Sequence, residues 1–89
     1  MLEKVKSGLG ITGTYQDTTI QRYINEVIQF LIGGGVSKEV AYDDLNIGLI
    51  IRGVADLWNY GSGGTSLSPY FIQRATQLAL KKSDDNGKL

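Results

Sequence analysis

Apolar side chains recur along this chain at the three- and four-residue intervals of α-helices, in runs separated by glycine-rich or polar breaks. The first run sets Leu2, Val5 and Leu9 on one face, with Glu3, Lys4 and Lys6 turned outward. Gly8 and Gly10 predict its end, because glycine accepts the left-handed conformation that closes helices. Ile11 then stands alone in a polar connection and reads as a plug for the core. Asp17 predicts an N-cap, its carboxylate accepting from the free N–H groups of the next first turn. Ile20, Tyr23, Ile24, Val27, Ile28 and Leu31 follow at strict helical spacing, which predicts a helix over residues 18–32. Phe30 and Ile32 fall off that stripe, so they either widen the buried face or touch a neighbouring subunit.

Gly33, Gly34 and Gly35 stop the second helix, since consecutive glycines cost too much backbone entropy for a helix interior. Residues 37–42 predict a turn or a short helical lead-in, with Asp43 or Asp44 capping the next helix. The most apolar stretch of the chain comes next, residues 45–60, LNIGLIIRGVADLWNY. Ile47, Ile50, Ile51, Val54, Ala55 and Trp58 form one stripe, which Leu45, Leu49 and Leu57 widen. A helix apolar most of the way round is normally central in its fold. Gly48 and Gly53 offer places for close backbone approach. Arg52 and Asp56 lie four apart on the remaining polar strip, as a solvated ion pair or a functional contact.

Residues 61–68, GSGGTSLS, read as a flexible connection, long enough for either a simple tether or a functional loop. Ser68 followed by Pro69 is a helix start signal. The last helix is predicted over residues 69–82, with Phe71, Ile72, Ala75, Leu78 and Ala79 inward, and residues 83–89 as a frayed polar tail. The expectation is an all-α fold: a small bundle of about four helices around a central apolar helix, in one domain over residues 1–82.

Composition narrows the chemistry. At 89 residues the chain fills one core, and its 42% apolar content suits a globular domain. Cysteine and histidine are absent, which removes thiolate nucleophiles, imidazole bases and the usual zinc ligands together. Nine basic and nine acidic side chains cancel, so the basic footprint of non-specific nucleic-acid binding is missing. No apolar run reaches the roughly 18 residues of a membrane span, and the N-terminus lacks a signal-peptide layout. The glycine triplet precedes Val36-Ser37-Lys38, not the Gly-Lys-Ser/Thr of a phosphate-binding loop. Asp17, Asp43 and Asp44 read as helix caps, no calcium-loop pattern surrounds them, and the serines have no histidine partner. The five tyrosines suit half-buried or interface positions. No enzyme, cofactor or metal site is expected.

With the helices placed, the chain resembles the head–tail connector proteins of tailed bacteriophages, the adaptor or head-completion proteins. The likeness lies in LEKVKSGLGIT before Asp17, the second helix from Ile20, the central helix ending near a tryptophan, a loop and a proline-started last helix, over about residues 2–82. The glycine-rich loop after Tyr60 and the short polar C-terminus depart from the family pattern. The resemblance implies a virion protein at the head–tail junction, assembled in the bacterial cytoplasm. Such proteins form a ring, usually a dodecamer, between the portal and a stopper or tail-completion protein, and DNA passes through without sequence-specific binding. Candidate subunit or partner contacts are Phe30, Arg52, Asp56, Trp58, Tyr60, Gly63, Gly64, Thr65 and Leu67. The alternatives are a small helical DNA-binding or regulatory module, and an accessory subunit or toxin–antitoxin partner.

Overall fold

The chain adopts an all-helical bundle in the computed structural model, which describes residues 1–61 and 66–87, with residues 81–87 given by backbone alone. Five α-helices occur in the order α1 (Leu2–Leu9), α2 (Asp17–Gly33), α3 (Lys38–Ala41), α4 (Ile47–Tyr60) and α5 (Pro69–Gly87), with a 3-10 turn at Asp44–Asn46 leading into α4. No strand occurs among the described residues. Helix α4 packs against α1, α2 and α5 together, as its apolar circumference requires.

Helix α2 follows the predicted stripe: Ile20, Ile24, Val27, Ile28 and Leu31 are buried, and Tyr23 is half-buried beside them. Its start differs from the expectation. Asp17 is the first helical residue, and the N-cap is Gln16, whose side chain makes no capping bond. Helix α1 ends at Gly10, whose φ of 73° is the left-handed conformation, and Ile11 N–H returns to the Lys6 carbonyl at 2.9 Å. Gly8 does not stop this helix. It lies inside it, where a Cβ would stand 2.6 Å from Ile51 Cδ1, so the glycine lets α1 settle on α4.

The lead-in to α4 is helical. Ser37 Oγ accepts from the Val40 N–H at 3.3 Å and caps α3. Asp43 Oδ1 accepts from the Leu45 N–H at 3.0 Å and caps the 3-10 turn, not α4 itself. Leu45 is therefore outside α4 and 90% exposed, where the sequence pattern placed it on the apolar stripe. The stripe itself is rotated. Ile50, Gly53, Val54 and Leu57 face the core, Ile47, Ile51 and Ala55 flank it, and Trp58 lies at its edge. The buried face includes Gly53 and Asp56, which add no apolar side chain to the stripe and so displace its apparent centre toward Ile51 and Ala55.

At the far end Ser68 Oγ accepts from the Phe71 N–H at 3.2 Å, and Pro69 opens α5 as predicted. Phe71 is fully buried, Ala75 nearly so, and Leu78 and Ala79 are half-buried, but Ile72 is exposed. The helix runs through Gly87, past the predicted end near Lys82. Once nucleated, a helix gains one backbone hydrogen bond per added residue, and a polar segment can continue it without an apolar face.

One charged residue is not where its type suggests. Lys6, expected outward, is only 5% exposed. It sits on the buried spacing of Leu2, Val5 and Leu9, and its ammonium turns back under the α1–α2 link. There it donates to the Gly13 carbonyl and lies 2.7 Å from Asp17 Oδ1. The Asp17 contact is a close ion pair, off the alignment of a hydrogen bond. Glu3 adds a weaker approach at 3.9 Å. On the surface, Lys4 pairs with Asp44, and this hydrogen bond and charge hold the Asp44 carboxyl below the ordinary carboxylate range.

These contacts fix two outcomes. A Cβ at Gly53 would lie 2.7 Å from Phe71 Cε2 and 2.9 Å from Val27 Cγ2, whereas one at Gly48 would meet nothing within 4 Å. Gly53→Ala should lower stability by about 1–3 kcal/mol through overpacking. Gly48→Ala should raise it by up to ~1 kcal/mol through helix propensity. Urea denaturation of the two variants checks this, and shifts of the same sign would refute the packing account. Lys6→Met should cost about 1–3 kcal/mol, because the Gly13 carbonyl loses its donor and Asp17 its ion-pair partner. The same measurement tests it, and a change within about 0.5 kcal/mol would show that the Lys6 contacts contribute nothing net.

Candidate functional site

The side chains offered as contacts separate into three settings. Phe30 is half-buried and packs on Phe71, with ring centroids 5.8 Å apart and planes tilted by 55°. It widens the core face of α2, the first of the two roles open to it. Leu67 is 7% exposed and anchors the start of α5 in the core, so it is not displayed to a partner. Gly63, Gly64 and Thr65 lie outside the described residues.

Trp58 and Tyr60 form an aromatic end to α4. Trp58 is 37% exposed and meets the Tyr23 ring edge-on, at 6.3 Å and 89°. Such edge-to-face pairing adds about 0.5–1.5 kcal/mol beyond area burial, so Trp58 is fixed while its outer face stays accessible. Tyr60 is exposed, and its carbonyl accepts from Ser66 Oγ at 3.3 Å.

Arg52 and Asp56 do not form the solvated pair expected of them. Asp56 is 5% exposed. Its Oδ2 accepts from the Ser68 N–H at 2.9 Å, and its Oδ1 faces Arg52 Nε at 3.6 Å. Asp56 thus ties the C-terminal half of α4 to the residue that caps α5. Arg52 is half exposed and spreads over the Tyr70 ring, 5.2 Å from its centroid. The signal for this burial was available: Asp56 stands three after Gly53 and one before Leu57, on the core-facing spacing.

Sequence reasoning missed a groove of about 490 Å³ between α4 and α5. Leu45 and Leu49 supply one wall, Tyr70 and Leu78 the other, and Asn46, Arg74 and Gln77 provide polar groups along it. Gly48 lies between the walls with open space where a side chain would be. The lining holds one cation and no carboxylate. A second, shallower hollow between α1 and α2 is lined by Leu2, Arg22 and the polar residues around them. The signal for the groove was the pairing of exposed Leu45 with Gly48, hidden while Leu45 was counted into the helix.

This arrangement suits docking of a protein segment. Leucine side chains in the walls and the open space at Gly48 give a side chain of a partner somewhere to enter, and Asn46, Arg74 and Gln77 offer it polar contacts. Among the described residues no group of three or more aspartates and glutamates is placed to hold a metal ion, and no helix is long and apolar enough to cross a membrane.

Asp56→Ala should lower stability by about 1–3 kcal/mol, since the Ser68 N–H loses its acceptor in a partly buried place. Arg52→Ala should cost less than about 1 kcal/mol, because the guanidinium is half exposed. Thermal denaturation of both variants orders the two effects, and a larger loss from Arg52→Ala would reverse the assignment of roles.

Comparison of the chain with known protein families, with curated proteins and with solved structures finds no match in any of the three.

Proposed function

We propose that this chain is a structural, non-catalytic subunit of the head–tail connector of a tailed bacteriophage. In this reading copies assemble into a ring, a dodecamer in keeping with the resembled family. The ring sits in the virion between the portal protein and a stopper or tail-completion protein, and DNA passes through its channel. The reading is carried by the order of elements: a short amphipathic helix, a long stripe-bearing helix, a central apolar helix ending in Trp58 and Tyr60, and a last helix opened by Ser68 and Pro69. The exposed aromatic end of α4 adds support, because a ring subunit has to present apolar surface to neighbours. Balanced charge suits a conduit that lets DNA slide, since phosphate neutralisation by a basic lining would hold it.

The reading as a small DNA-binding or regulatory module draws less support. Helix α4 is too apolar to serve as a recognition helix, and α5 shows only Gln73, Arg74 and Gln77 for base or phosphate contact among its described outer residues.

Mixing the purified chain with its cognate portal and imaging the product by electron microscopy tests the proposal. Ring density added to the portal's tail-facing end is the expected result. Portal particles unchanged by saturating amounts of the chain would overturn it.

A further inference from the structure

The α4–α5 groove and the segment just before α4 carry opposite charge. The segment over residues 39–45 exposes Glu39, Tyr42, Asp43 and Leu45. Asp44, between them, is held by Lys4. The groove offers leucine walls, the Tyr70 ring, and Arg74, which has no ion pair among the described residues. We infer that the groove receives residues 39–45 of a second copy of this chain, so that two copies pair reciprocally across it.

Three observations carry this. Leu45 stands at the lip of a groove with Leu49 and Leu78 in its walls yet is almost wholly in water, a placement that leaves its burial unrealised in the single subunit. The acidic segment and the cationic groove supply opposite charges to each other and would repel their own kind. Leu45 belongs to the segment and to the groove lining at once, so both halves lie on one continuous surface. A surface carrying both halves of a contact is self-complementary and closes with two copies, as an isologous interface does. Gly48, with no Cβ and open space before it, gives the entering side chains their depth.

The contact is small beside a standard interface of about 1,600 Å², so the dissociation constant should be weak, on the order of 100 µM. The inference does not depend on the connector reading, whose test has a separate readout.

Sedimentation of the isolated full chain, from about 10 µM to about 1 mM, bracketing that expected constant, tests it. The expected result is a concentration-dependent monomer–dimer equilibrium. Leu45→Glu and Gly48→Met should each weaken dimerisation by about tenfold or more, by removing the inserted side chain and by filling the groove. Arg74→Glu should weaken it too, by placing like charge against the acidic segment. Neither Leu45 nor Gly48 supports the fold, so circular dichroism melts of both variants should be no lower than that of the parent chain. A chain that stays monomeric throughout this range overturns the inference. So does a dimer whose affinity is unchanged in both Leu45→Glu and Gly48→Met.

Discussion

At Gly53, helices α2, α4 and α5 meet at close range. Val27 of α2 and Phe71 of α5 both reach into the space that a side chain at this position would occupy. The approach of both helices to α4 is therefore set by one missing Cβ. The fully buried residues around it, Ile24, Val54, Leu57 and Ile50, pack against walls whose separation that glycine defines. Its helix-propensity cost of about 1 kcal/mol is offset by the closer packing of an aromatic ring and a valine.

Around that apolar centre, two buried charges hold the connections between helices. Lys6 fastens the α1–α2 link from below, through the Gly13 carbonyl and Asp17. Asp56 fastens the entry to α5, through the Ser68 N–H. Each charge is satisfied by a chain segment near its own helix, and each acts at a place where the backbone leaves regular structure. Buried charges are costly unless paired and hydrogen-bonded. Here they supply donors and acceptors to backbone groups that a small core could not otherwise satisfy.

The all-helical bundle and its central helix were legible because α2 carries a strict stripe and because Ser68–Pro69 and the glycine triplet are strong boundary signals. The phase of α4 was legible only to within about one position. Its buried face includes Gly53 and Asp56, which have no hydrophobicity to register. Lys6 and Asp56 were misplaced for a related reason: residue type argued for solvent, while position on the helical spacing argued for burial, and position prevailed. Leu45 erred the other way, an apolar residue assigned inward but held outside by the Asp43-capped turn. The groove depended on that turn, a local hydrogen bond that periodicity does not report. Of the candidate contact residues, Leu67 lies in the core, Phe30 packs half-buried against it and Trp58 stands at its edge.

The nesting of Gly8 on Ile51 bears on how the chain acquires its structure. Helix α1 leaves the ribosome before the other helices, yet the surface it fits belongs to a helix made much later. The α4–α5 corner, closed by Asp56 and Ser68 over a short stretch of chain, has a loop-closure cost smaller by about 1 kcal/mol. Helix α1 can therefore make its local contacts, Lys6 to Gly13 and Asp17, before the surface that Gly8 fits has been synthesised. Until α4 arrives, Val5 and Leu9 have only part of their final cover.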